Sequence, residues 1–274
     1  MRRKSKSVKG SRAGAGYVKS LDKALALLER LGEADNALTL SDLAQRAGLP
    51  LPTAHRLLTT LERRRFVQFD AEQTLWSIGV QTFIVGNAFL PRRNLVRQAF
   101  PIMRTLMEQS GETTNLAIEF DGEAVFLAHV ECRDMMRASS RPGSHVALYC
   151  SGVGKALLSA MSDEDVTRVL HQHGLKRITP NTIVSPEKMR ADLAESRLRG
   201  YAFDNEEHAP GVRCVAAPIF NESGHVLAAI SLSGPTARIT DDRIPVLGAS
   251  VAHAASRITA DLGGEVDERL LAET

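Results

Sequence analysis

Residues Leu40 to Arg65, LSDLAQRAGLPLPTAHRLLTTLERRR, decide how the first third of this chain folds. Leu40, Leu43, Ala44 and Ala47 recur at helical spacing, with Ser41 placed to cap the orphan N–H groups of the first turn. Gly48 ends that segment, Leu49 and Pro50 turn the chain, and Pro52 falls in the first turn of a second helix, where a missing N–H costs nothing. Successive helical residues rotate by about 100°. Ala54, Leu57, Leu58 and Leu61 therefore share one face of that helix, and His55, Arg56, Thr59 and Arg63 cluster with Pro52 opposite them.

The apolar face packs and the other is free. An arginine there can grip guanine O6 and N7 with two N–H groups, threonine and histidine reach base edges or phosphates, and Arg63 to Arg65 meet the backbone. This is the pattern of a helix-turn-helix reader of DNA, with Pro52, Thr53, His55, Arg56, Thr59 and Arg63 as candidate contacts. Phe66 to Phe69 and Thr74 to Ile78, separated by a polar turn, read as a β-hairpin and make it the winged version. The alternative is an ordinary helical hairpin with a solvated basic face.

Charge is distributed accordingly. Residues 1–80 carry 14 lysines and arginines against 8 acidic residues, and the rest of the chain carries 20 against 24. Phosphate contacts supply most sequence-independent affinity, so the positive excess sits where double-stranded DNA requires it. A chain of 274 residues with 43% apolar content has room for two domains with sizeable cores. No run of about 18 uncharged apolar residues is present, and the basic N-terminus lacks the apolar core of a signal peptide, so a cytoplasmic protein without a membrane partner is expected. Cys132, Cys150 and Cys214 suit neither a disulfide framework nor a metal knuckle.

Five segments are expected. Residues 1–19 form a basic arm, disordered when free, that lies along phosphates or in a minor groove, or merely solubilises the chain. Residues 20–79 form the DNA-binding domain, supported by a helix from Ser20 to Leu31. Residues 80–100 form a linker helix, bent or broken at Pro91, whose stripe Phe83, Ile84, Val85, Ala88 and Phe89 meets the same helix of another subunit or packs on its own second domain. Residues 101–262 form an α/β domain, and residues 263–274 a polar tail. Within the α/β domain the pattern gives helices over 101–110, 153–161, 163–173, 186–199 and 241–262. Hairpins join strands 114–120 with 123–132 and 215–220 with 226–232.

In that domain Ser151-Gly152-Val153-Gly154-Lys155 enters a helix with small residues, which lets backbone N–H groups point at an anion. It is not a nucleotide P-loop, since the upstream glycine is missing and Ala156 follows Lys155. A glycine turn needed only for packing is equally consistent. Downstream, Asp204 to His208 leads to Cys214, and Ser231 and Ser233, two apart on a strand, point the same way. A metal at the acidic cluster with His208, or at His171 and His173, would lack a recognisable ligand framework, and catalysis by Cys214 with His208 would lack an orienting group. No metal and no cofactor are expected.

Together these residues resemble the IclR family of bacterial transcriptional regulators over Ser20 to Leu262. Three stretches carry the likeness: LSDLAQRAGLPLPTAHRLLTTL, SGVGKALLS, and RGYAFDNEEHAPGVRCVAAPIFNESGHVLAAISLSGP. The resemblance implies an α+β chain with an N-terminal winged helix-turn-helix, a linker helix and a C-terminal GAF-like effector-binding domain, assembled as homodimers or dimers of dimers. Within the family the chain is most similar to the branch sensing glyoxylate and related small acids, where SGETxN, SGxGKA, DxEEH, GxxC and SxSGP recur. That likeness implies that the N–H groups of Gly152 and Val153 hold the effector carboxylate while Asp204, Cys214, Ser231 and Ser233 surround its other end. Val153 and Ala138 depart from the branch pattern, and Val146 and Val212 are the expected wall residues beside Ala138. The implied function is a non-enzymatic repressor whose operator binding responds to a small carboxylate. The rivals are a small-molecule enzyme using Cys214, His208 and Asp204, and a nonspecific DNA-binding protein.

Overall fold

Leu27 and Leu31, one helical turn apart, are buried with Leu43, Ala44, Ala54, Leu58, Val67 and Trp76, and this cluster assembles the N-terminal elements. The elements are α1 (Lys19–Gly32), α2 (Leu40–Arg46), α3 (Leu51–Arg63), the hairpin β1 (Val67–Asp70) and β2 (Leu75–Ile78), and α4 (Val80–Asn87). The computed structural model describes residues 18–34, 36–87, 95–135 and 140–265, and the chain divides into two units, 1–92 and 93–274. The basic arm before Val18, the break expected at Pro91, Ala88 and Phe89 of the apolar stripe, the wall residue Ala138 and the tail beyond residue 265 lie outside the described residues.

The turn between α2 and α3 follows the sequence reading, with Gly48 at φ +63°, a conformation that side-chain-bearing residues rarely adopt. The cap differs. Thr39, in extended backbone, accepts the Asp42 N–H at 3.2 Å, so α2 starts one residue before Ser41 and that serine lies exposed inside the helix. The hairpin pairs Val67 with Ile78 and Phe69 with Trp76, as expected of a wing.

The second unit is a six-stranded antiparallel sheet in the order β5-β4-β3-β8-β7-β6. Its strands are β3 (Thr113–Phe120), β4 (Glu123–Val130), β5 (His145–Ala147), β6 (Ala202–Asn205), β7 (Val212–Phe220) and β8 (Val226–Pro235). Helices α5 (Leu95–Ser110) and α9 (Ile244–Asp261) bury one face around Leu116, Val215 and Ile230. Helices α6 (Gly152–Ser159), α7 (Asp163–His173) and α8 (Pro186–Arg199) cover the other around Ala117, Ala216 and Ala229. Ser162 caps α7 through the Asp165 N–H, and Gly200 closes α8 in the left-handed region at φ +80°.

Helix α5 is longer than the sequence pattern gave it, running from Leu95 through Pro101 rather than starting there. An interior proline costs a helix about 3 kcal/mol. Leu95, Ala99, Ile102, Met103 and Leu106 lie on one stripe and are all buried in the core, which outweighs that penalty. The short strands β5 and β6 escaped the sequence reading because three or four residues show no clear alternation.

Candidate functional site

Two sets of functional candidates emerge, one in each unit. On α3, Ala54 and Leu58 are buried, whereas Pro52, His55, Arg56 and Arg63 are exposed and Thr53 and Thr59 half-buried. The hydroxyl of Thr59 donates to the His55 carbonyl at 2.9 Å, which leaves it as an acceptor toward any partner. Beyond α3, Arg65 adopts φ +60°, and its carbonyl accepts the Gln81 N–H at 2.9 Å. A Cβ on Gly79 would stand 2.4 Å from that carbonyl, so glycine is required where α4 returns past the end of α3. Three consecutive arginines are thus left exposed at the C-terminal end of the helix.

In the second unit a cavity of about 270 Å³ opens between the sheet and the N-terminus of α6. Gly152, Val153, Asp204, Cys214, Ser231 and Ser233 all line it, and Val146 and Val212 form wall, so the structure gathers every candidate effector residue except Ala138. The sheet register explains this convergence: Asp204 pairs with Cys214 and Cys214 with Ser233 across β6, β7 and β8, which puts the three on one face. Ser151 caps α6 by accepting the Gly154 N–H at 3.1 Å. Gly152 and Val153 then occupy the first turn, where N–H groups have no intrahelical partner. The close approach also requires glycine, because a Cβ on Gly152 would stand 2.5 Å from Cys214 Sγ and one on Gly154 2.2 Å from the Leu148 carbonyl. The packing role and the site are therefore the same feature.

Lys155, three residues after Gly152, is fully buried and is not among the residues that line the cavity. Its Nζ donates to Glu207 Oε1 at 2.5 Å, and Asp192 Oδ2 lies 3.1 Å away, off hydrogen-bonding geometry. Burial raises the Glu207 carboxyl above its ordinary range despite this cation. Asp204 accepts the Glu207 N–H at 2.7 Å, yet burial pushes its carboxyl up to about 7. The loop carrying them is pinned from beneath, as Thr179 and Thr182 donate to the carbonyls of Glu206 and Glu207 at 2.7 and 2.8 Å.

The catalytic rival finds little chemistry here. His208 Nδ1 contacts Cys150 Sγ at 4.0 Å, not Cys214, and burial holds the imidazole pKa down. Burial pushes the Cys214 thiol up to about 11 and the Cys150 thiol up to about 12, so both are neutral and poorly nucleophilic. His173 packs on Gly122, and among the described residues no group of three or more His, Cys, Asp or Glu side chains is arranged to hold a metal ion. Among the same residues no helix is long and apolar enough to cross a membrane. The sequence reading does not name Phe126, Ser140, Ser144, His145 and Ala209, which line the cavity. Ser151 and His208, which it marks for the helix turn and the enzyme rival, line it too, and Asn115, present there only within SGETxN, donates to both Ser231 and Ser233.

Comparison with known proteins identifies the family of both domains. The IclR helix-turn-helix domain model matches residues 20–71, and the model described as bacterial transcriptional regulator IclR C-terminal matches residues 87–260. The chain is 48% identical over 251 residues to the transcriptional repressor IclR of Escherichia coli strain K12, covering 91% of this chain and 92% of that one. It is 41% identical over 254 residues to the HTH-type transcriptional regulator BhcR of Paracoccus denitrificans, covering 92% and 90%. An IclR homologue from Microbacterium hydrocarbonoxydans, solved in complex with 4-hydroxybenzoate, superposes with a TM-score of 0.79 at 25% identity, covering 89% of this chain and 98% of that one.

Proposed function

We propose, from the premise that this chain belongs to the IclR family of bacterial transcriptional regulators, that it is a repressor released from or modulated on its operator by a small carboxylate, glyoxylate first among the candidates. As a family member it is a transcriptional regulator with a helix-turn-helix DNA-binding domain and an effector domain, not an enzyme. The repressor reading extends the description of its Escherichia coli relative. In this reading Pro52, Thr53, His55, Arg56, Thr59 and Arg63 meet operator DNA, and the cavity binds the effector.

The observation that carries the ligand reading is the convergence of polar groups in one small cavity with valine walls. The first-turn N–H groups of Gly152 and Val153 suit a carboxylate, and Ser231, Ser233, Cys214 and Asp204 suit a second oxygen. A tiny anion offers little apolar surface, so its affinity comes from such convergent hydrogen bonds. Isothermal titration with glyoxylate, beside pyruvate, glycolate, oxalate and 4-hydroxybenzoate, tests this directly. Saturable glyoxylate binding that disappears in Ser231→Ala and Asp204→Ala supports the reading, and a response to the aromatic acid alone would replace it with a larger effector.

Phe83, Ile84 and Val85 on α4 are exposed in a row. We read this helix, apolar on more than one side, as part of the self-association surface of a homodimer or dimer of dimers. Light scattering of a Phe83→Asp variant should then report a smaller assembly, and an unchanged mass would refute it.

A further inference from the structure

Asn115 lies on β3 directly opposite Ser231 of β8, fully buried and just behind the cavity floor. Its Nδ2 donates to Ser233 Oγ at 3.2 Å and to Ser231 Oγ at 3.4 Å, and its Oδ1 has no partner among the described residues. Turned over, the amide would accept from the serines but strand two donors in a fully buried site, which costs more than one unpaired carbonyl. A hydroxyl has one proton and two lone pairs. With Asn115 on a lone pair of each, both serine protons are free to point elsewhere.

They point at a poor acceptor. Ser233 Oγ donates to Cys214 Sγ at 3.3 Å, and Ser231 bears on the same sulfur. Cys214 passes the polarity on, its thiol directed at the Val215 carbonyl at 3.9 Å. The chain of donors thus runs from Asn115 through the serines to sulfur, and an incoming ligand oxygen is a stronger acceptor than the thiol it displaces. A carbonyl oxygen takes two donors with nothing left over. A hydroxyl brings a proton that needs an acceptor, and on the sheet side of the cavity the carboxylate acceptor among the described residues is Asp204, one of whose oxygens is held by the Glu207 N–H.

We propose that Asn115 is a positioning residue that fixes Ser231 and Ser233 as donors, so that the cavity selects a 2-oxo acid over the corresponding 2-hydroxy acid. This rests on the small-carboxylate reading of the same site. The selectivity is set from behind the floor, by a residue that need not touch the ligand.

Glyoxylate and glycolate differ only at C2, an aldehyde in one and a primary alcohol in the other, and serve as the probe pair. Both are titrated into the full-length protein, Asn115→Asp and Asn115→Ala, with thermal unfolding and effector-free operator binding followed in parallel. The unsubstituted protein is expected to favour glyoxylate by about tenfold or more, the worth of one well-made hydrogen bond. Asn115→Asp keeps the shape but accepts the serine protons, and should erase or invert that ratio; Asn115→Ala frees the hydroxyls to turn and should reduce it. A merely structural residue would weaken both acids together. An unchanged ratio in a folded variant, or a preference of the unsubstituted protein for glycolate, overturns the proposal. Should Asn115→Asp fail to fold, Asn115→Ala decides alone. Binding of neither acid to the unsubstituted protein overturns the ligand reading itself, and this inference with it.

Discussion

Lys155 Nζ lies 2.5 Å from Glu207 Oε1, and this lysine is the largest fully buried side chain among the described residues. The pair fastens the first turn of α6 to the loop between β6 and β7, so both walls of the cavity hang from one buried cation. Lys155→Met would leave Glu207 and Asp192 without it. Breaking a buried pair on one side costs about 3–5 kcal/mol. Urea unfolding should show a loss of that size, with part recovered in Lys155→Met/Glu207→Gln; a single-variant loss below about 1 kcal/mol would mean that water already reaches these groups.

Proton uptake should accompany effector binding. Burial raises the Asp204 carboxyl to about 7; the nearby Glu207 charge adds to this, while the Glu207 and His208 N–H groups and Lys155 oppose it. Because the folded value lies above the ordinary one, the contribution of Asp204 to stability is full below the usual carboxylate range and lost as pH rises through about 7. A bound anion raises the group further. Affinity for glyoxylate should therefore fall as pH rises above about 7, by at most about tenfold per unit, and binding heats should differ between buffers of unlike ionisation enthalpy. Asp204→Asn, which donates as the protonated acid does, should bind with a flat profile. A flat profile in the unsubstituted protein would mean that Asp204 stays charged beside the ligand.

Arg56 stands exposed in mid-α3, the position from which a side chain reaches a base edge. Arg56→Ala should weaken specific operator binding by about 1–3 kcal/mol in a gel-shift titration and leave effector binding unchanged. Equal loss on random-sequence DNA would reassign it to a phosphate contact.

Gly152 and Cys214 should be energetically coupled. A methyl at Gly152 would stand 2.5 Å from Cys214 Sγ and 3.0 Å from its Cβ. Gly152→Ala alone should destabilise the protein by about 1–3 kcal/mol. Combined with Cys214→Ala, which removes the nearest atom, the two costs should sum to less than their parts in a double-variant cycle. Strict additivity would show that α6 shifts instead.

The helix-turn-helix was legible because its signals are local: the Ala54 and Leu58 stripe, the glycine at the turn and the wing alternation all act within one element. The cavity residues Asp204, Cys214, Ser231 and Ser233 were legible through family resemblance, and for the Ser151–Lys155 turn residue spacing alone left packing and binding equally open. What stayed hidden depends on pairings far apart in sequence. Asn115 is 116 residues from Ser231, and no local pattern marks it as that serine's partner. Pro101 misled for the converse reason, a strong local signal overruled by burial of Leu95 and Ala99 in the distant core.

The thiol that lines the cavity, Cys214, and the nearby buried Cys150 are both held neutral. Burial pushes the Cys214 thiol up to about 11 and the Cys150 thiol up to about 12, so both stay protonated at neutral pH. Peroxide and electrophiles react with thiolate, so a sulfur set in the floor of the cavity is passed over by them. Cys214 therefore serves the cavity as a neutral packing and hydrogen-bonding atom rather than as a reactive one.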